Sequence, residues 1–174
     1  MEIRYSPNQI DYTKLNTQEL RIAFLIENLF APGKIDLVYT DADRAIVGSA
    51  VPTGSTLKLT ADAELRAAYF CERRELGVLN IGGDGAIEVD GKRYEMGKLD
   101  CLYVGRGSQE VSFSSKDASN PAAFYLLSYP AHAAYPTTHA RVKDATPVEL
   151  GTVADANRRT IYKYIHTGGI KSCQ

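Results

Sequence analysis

Residues 71–107 read CERRELGVLNIGGDGAIEVDGKRYEMGKLDCLYVGRG and decide the fold class. Four consecutive charges, ERRE at positions 72–75, lead into short runs of apolar and β-branched residues separated by glycines. The pair Asp90-Gly91 stands between two alternating segments, which is typical of a two-residue β-hairpin turn. The stretch therefore predicts short antiparallel strands that begin beside a charged cluster.

Strand-like segments continue on both sides of this stretch, each closed by Gly, Ser, Asn or Pro. Many short strands with turn residues at short intervals predict an all-β sandwich or small barrel. One long strand is expected through residues 67–83, and the region 130–151 is expected to be an ordered loop with one short strand. The other strand-like segments are 34–40, 44–52, 56–60, 86–96, 100–105, 109–115, 122–130 and 158–169.

A single helix is predicted near the start of the chain, in NTQELRIAFLIENLF at 16–30. Asn16 can act as its N-cap, and Glu19 stands three residues later, as in a capping box. Pro32 and Gly33 are expected to end the segment.

The composition is that of one globular domain. The chain has 174 residues, of which 44% are hydrophobic, enough for one core and too few for two large domains. No apolar run approaches the roughly 20 residues of a membrane helix, and the polar start MEIRYSPNQIDY differs from a signal peptide. We therefore expect a cytoplasmic protein without a membrane partner. With 20 basic and 21 acidic side chains, there is no positive excess for binding nucleic acid.

Cysteine and histidine, the residues most often used for reactive or metal sites, show no such pattern here. The three cysteines form no C-x-x-C motif, so we expect reduced and mostly buried thiols. The histidines match no standard metal spacing, and we interpret them as hydrogen-bonded, solvated or packed side chains. These residues are Cys71, Cys101 and Cys173, and His132, His139 and His166.

The glycine spacing resembles the two motifs of the cupins, a superfamily of jelly-roll barrels. Glu75 is followed by six residues and then Gly82, as in the second half of the first motif. Gly97, five residues and then Tyr103-Val104-Gly105 follow the frame of the second motif. At the positions of the cupin histidine ligands, however, the chain carries other residues, so the resemblance implies a barrel without its metal. Those positions are Tyr69, Cys71 and Ser108.

Longer segments resemble one family in particular, the 5-keto-4-deoxyuronate isomerases, which are double cupins. The segments are FLIENLF at 24–30, residues 72–105, SYPAHAAYPTTHA at 128–140, NRRTIYKY at 157–164 and the final CQ. The resemblance implies an aldose–ketose isomerase that interconverts 5-dehydro-4-deoxy-D-glucuronate and 3-deoxy-D-glycero-2,5-hexodiulosonate in pectin and uronate catabolism. It also implies zinc in the full-length protein and a homo-oligomer, a hexamer in that family.

The chain departs from the family because the zinc motif of those longer proteins lies beyond the position of Gln174. We therefore expect residues 1–174 to form the N-terminal cupin-like half of a bicupin, with the start of the connection to a missing metal-binding half. This part is expected to bind no metal and to be structural and inactive alone. The alternative is a non-catalytic module for sugar-acid binding or oligomerisation.

Two charges of ERRE are the candidate substrate-binding residues. If one strand runs through this region, alternation places Arg73 and Glu75 on the same face as Cys71, and the cupin alignment points that face into the barrel. Arg73 could then hold a substrate carboxylate through its bidentate fork. The simpler interpretation is an internal ion pair between Arg73 and Glu75 that fills the barrel.

Overall fold

The computed structural model describes residues 1–173, so Gln174, with which the predicted domain ends, lies outside the described residues. The chain is built mainly of strands, with one α-helix and several short 3-10 helices in the described part. In chain order the elements are β1 Glu2–Arg4, α1 Thr17–Phe24, β2 Ile35–Thr40, β3 Ile46–Ala50, β4 Leu57–Leu59, β5 Arg74–Asn80, β6 Gly85–Val89, β7 Lys92–Met96, β8 Cys101–Val104, β9 Val111–Ser115, β10 Phe124–Pro130, β11 Thr138–Ala140, β12 Thr146–Leu150 and β13 Arg159–Lys163.

The strands form two main sheets that enclose one core. The larger sheet has the order β1-β2-β3-β10-β5-β8-β11, and the smaller has the order β4-β9-β6-β7. Pairing is antiparallel except between β1 and β2, while β12 and β13 form a separate two-stranded ribbon. This arrangement confirms the predicted all-β fold, a cupin-like jelly roll with a short N-terminal helix.

The core lies between the inner faces of the two sheets. Leu76 and Val78 of β5 face Ile87 and Phe113 of the smaller sheet in one cluster of buried side chains. Phe113 packs against Phe124 with ring centroids 5.4 Å apart. Because burying one such side chain contributes about 1.5–3 kcal/mol, the filled interior is the main source of stability.

Two local predictions are confirmed. Asp90 and Gly91 join β6 to β7 with φ of 49° and 79°, the conformation that a primed two-residue turn requires. At the helix, the Asn16 side chain accepts from the Glu19 amide at 3.0 Å, and Glu19 accepts from the Asn16 amide at 2.8 Å. The helix ends at Phe24, earlier than Pro32 and Gly33 indicated.

Two other predictions are wrong in part. The long strand expected at 67–83 is interrupted by a 3-10 helix at Phe70–Glu72, so β5 begins only at Arg74. The region 130–151 contains two strands, β11 and β12, where one was expected. Within residues 1–173, no helix has the length and apolar character needed to cross a membrane.

Candidate functional site

Glu75 lies on the outer face of the larger sheet, and the expectation that it points into the barrel is wrong. In β5, Leu76 and Val78 belong to the core cluster, so alternation turns Glu75 to the opposite side. Gly77 shares that side and lies under the side chain of Ile165, which belongs to the C-terminal segment. Glu75 is nevertheless buried, because residues near the C-terminus cover it.

Buried donors surround the Glu75 carboxylate. Tyr103 Oη donates to Glu75 Oε2 at 2.8 Å, and the backbone amide of Cys173 lies 3.1 and 3.0 Å from the two carboxylate oxygens. Burial, and then the hydrogen bond to Glu75, raise the pKa of Tyr103 well above its usual range, so the phenol stays a donor. The geometry makes Glu75 an anchor for the C-terminal segment.

Arg73 does not pair with Glu75, which corrects the expected ion pair. The side chain of Arg73 is exposed, and its Nη2 donates to the carbonyls of Leu65 and Arg66. The physical reason is the 3-10 helix at Phe70–Glu72, which turns about 120° per residue. Strand alternation therefore cannot assign residues before and after this 3-10 helix to the same face. That either residue contacts a substrate stays a prediction.

Arg74, the first residue of β5, is the arginine of ERRE that lies on the inner face of the larger sheet. It is 7% exposed, and its Nε and Nη2 donate to Ser128 Oγ at 3.1 Å and to the Ser128 carbonyl at 2.9 Å. Nη2 also donates to the carbonyl of Arg44 at 2.6 Å. Burial lowers the pKa of Arg74 to about 10, so the guanidinium is still charged at neutral pH.

A cleft of about 360 Å³ opens beside Arg74, where β5 begins and β10 ends. Arg44, Arg73 and Arg74 line it together with one carboxylate, that of Glu64. Strand alternation in the sequence is a signal for the position of Arg74. Because Leu76 and Val78 are core residues, period-two alternation from them places Arg74 on the inner face as well.

The three positions that cupins use for histidine ligands do not form a metal site. Cys71 is fully buried in the core, and burial raises the pKa of its thiol to about 12. Tyr69 lines a different surface cleft, and Ser108 is half-exposed. In the part of the chain that the structure describes, no group of three or more His, Cys, Asp or Glu side chains could hold a metal ion. These residues do not fit the zinc that the family implies.

The histidines are not brought together with these residues. His139 Nε2 lies 3.5 Å from Asp100 Oδ2, and its ring meets Tyr94 edge-on at 6.3 Å. His132 is exposed in the loop before β11. This agrees with the interpretation of these side chains as packed or solvated residues.

Comparison with known proteins identifies similar chains. The model of the KduI/IolB family matches residues 24–174. Proteins named 4-deoxy-L-threo-5-hexosulose-uronate ketol-isomerase match the whole chain, with 49% identity in Halalkalibacterium halodurans and 50% in Shouchella clausii. In each case the chain spans 63% of the length of the relative. The resemblance drawn from the sequence motifs is thereby confirmed.

Two solved structures are similar at lower identity. The cupin domain of Schizosaccharomyces pombe Cnp3 is 13% identical with a TM-score of 0.45, covering 60% of this chain and 69% of that one. A cupin protein from Bacteroides fragilis is 16% identical with a TM-score of 0.41, covering 64% and 90%.

Proposed function

Because the chain belongs to the KduI/IolB family, we propose that it is the N-terminal part of a ketol-isomerase acting on an unsaturated-uronate product. The reaction is the interconversion of 5-dehydro-4-deoxy-D-glucuronate and 3-deoxy-D-glycero-2,5-hexodiulosonate. The names of relatives about 49% identical over all 174 residues support this proposal. The cytoplasmic location stays a prediction.

The role of this part of the enzyme is structural. An aldose–ketose isomerisation moves a proton between adjacent carbons and needs a base together with a group that polarises the carbonyl. The observation that carries the structural role is the barrel interior, which apolar side chains fill from both sheets. Glu75, the retained cupin acid, lies outside that interior and holds the Cys173 amide.

The test is turnover by the 174-residue chain supplied with zinc and the sugar-acid substrate. The full-length relative from Halalkalibacterium halodurans, assayed in parallel, shows that substrate and conditions are adequate. Circular dichroism shows that the chain is folded. We expect conversion by the relative and none above the uncatalysed rate by the chain; sustained turnover by the chain would contradict the structural role.

We also propose that copies of the chain associate. Large apolar side chains are exposed close together in and directly after α1, namely Ile22 at 65%, Phe24 at 54% and Leu25 at 40%. Exposed apolar surface of this kind is typical of an interface. Light scattering should give a mass above the 19.1 kDa of one chain, and a stable monomer at all concentrations would contradict the proposal.

A further inference from the structure

The cleft beside Arg74 has the size and shape of a small-molecule site. Its volume of about 360 Å³ lies within the range of about 300–1,000 Å³ that is typical of ligand pockets. Its lining includes three aromatic side chains, those of Tyr5, Tyr39 and the buried Phe70. Aromatic rings of this kind offer a flat apolar surface with a polar edge, which suits a sugar ring.

Positive charge dominates the cleft. Three arginines line it, Arg44, Arg73 and Arg74, and its lining includes one acidic residue, Glu64. The N-terminal ammonium also borders the cleft, and it is neutralised by Asp62 at 2.7 Å. Among the ion pairs of residues 1–173, none involves any of the three arginines.

Arg74 distinguishes this cleft from an ordinary basic surface. Its side chain is more than nine-tenths buried, and all its acceptors in the described chain are uncharged: the Ser128 hydroxyl, the Ser128 carbonyl and the Arg44 carbonyl. Its Nη1 donates to no group among residues 1–173. A buried charge without an opposite charge is costly, and an anion placed against it would recover part of that cost.

The side chain of Arg73 is also held in place by the backbone. Its Nη2 donates to two backbone carbonyls, those of Leu65 and Arg66, which leaves its Nε and Nη1 for a ligand. Two guanidinium groups fixed in this way can bind the two oxygens of a planar carboxylate. Glu64, in the same cleft, disfavours a more highly charged anion such as phosphate.

We propose that this cleft binds the carboxylate of a sugar acid, with Arg44, Arg73 and Arg74 on the carboxylate and the aromatic side chains of the lining against the ring. The carboxylate chemistry follows from the arginines, and the choice of a sugar acid rests on the proposed function. No group of three or more metal-ligating side chains is present among the described residues, so the ligand binds here without a metal.

Calorimetric titration of the 174-residue chain at low ionic strength tests the proposal, since charge–charge attraction is then least screened. The probe is sodium D-galacturonate, with neutral D-galactose and inorganic phosphate as comparison ligands. We expect saturable galacturonate binding with a Kd on the order of 1 mM. Galactose should bind at least about tenfold more weakly, because it lacks the charge-assisted hydrogen bonds.

Variants locate the site. The double variant Arg44→Gln/Arg73→Gln removes two exposed charges and leaves the buried Arg74 in place, so the fold should be retained. It should weaken galacturonate binding about tenfold or more. Arg93→Gln on β7, outside the cleft, is the matched control and should stay within about twofold of the parent. Equal melting temperatures show that all variants are folded.

Three results would overturn the proposal: no saturable binding of galacturonate, binding unchanged in the double variant, or phosphate binding more tightly than galacturonate. The titration involves no turnover, so its failure is distinguishable from a failure of the proposed isomerase role.

Discussion

Replacing Tyr103 by phenylalanine tests whether Glu75 anchors the C-terminal segment. Tyr103 is 1% exposed, and its hydroxyl donates to Glu75 Oε2 at 2.8 Å. The substitution keeps the ring and removes only this donor. The buried carboxylate is then left with the Cys173 amide.

The expected cost follows from the kind of bond that is lost. A hydrogen bond to a charged group contributes about 1.5–3 kcal/mol, and the cost is greatest where water cannot replace the missing donor. We therefore expect Tyr103→Phe to lower the free energy of unfolding by about 2 kcal/mol. For a domain of this size that is a shift of roughly 1 M in the urea midpoint.

Urea unfolding followed by circular dichroism measures this change. Tyr125→Phe is the matched control, because Tyr125 lies on the same outer face opposite Leu79 and its hydroxyl has no hydrogen bond to another described residue. The control should change the free energy of unfolding by less than about 0.5 kcal/mol. A double-mutant cycle with Glu75→Gln should give a coupling of about 1 kcal/mol or more.

Two results would refute this reasoning. The first is a midpoint for Tyr103→Phe equal to that of the Tyr125→Phe control. The second is a coupling near zero between Tyr103 and Glu75, which would mean that the hydrogen bond does not stabilise the fold.

Three further changes test the core, the hairpin and the thiols. Phe113→Ala should cost about 3–5 kcal/mol, because it empties the centre of the core; a urea midpoint near the parent's would contradict this. Gly91→Ala should lower the free energy of unfolding by about 1 kcal/mol, because Gly91 has a φ of 79°, a left-handed conformation that alanine rarely adopts. There is open space for the added Cβ, so the backbone conformation is the only source of this change. An unchanged urea midpoint would show that the turn relaxes. Burial and pKa values of about 12 for Cys71 and Cys101 leave almost no thiolate at pH 8, so a disulfide reagent should label only Cys173 quickly in the native chain and all three thiols in denaturant. Fast labelling of more than one native thiol would be inconsistent with the burial of Cys71 and Cys101.

Local signals in the sequence predicted much of the fold. The Asp90-Gly91 turn and the Asn16 capping box each depend on residues within a few positions, so their structures follow from the local chain. Strand segments were also recognisable, because β-branched and aromatic residues alternate between turn residues.

The candidate site was harder to predict from the sequence, because it depends on contacts between residues that lie far apart in the chain. The 3-10 helix at Phe70–Glu72 buries Phe70 and Cys71 in the core, and this packing changes which of the following charges face inwards. Glu75 contacts Cys173, which lies 98 positions later in the chain, and no local sequence pattern predicts such a contact. Arg74 meets Ser128 in the same non-local way.

The most direct measurement is the zinc content of the 174-residue chain, because residues 1–173 contain no group of three or more side chains that could hold a metal ion. The chain is dialysed against zinc at neutral pH, passed through a desalting column and measured by elemental analysis beside the full-length Halalkalibacterium halodurans relative. We expect less than about 0.1 zinc per chain, because a zinc site needs three or four convergent ligands. One tightly held zinc per chain, lost in Cys71→Ala, would contradict this expectation.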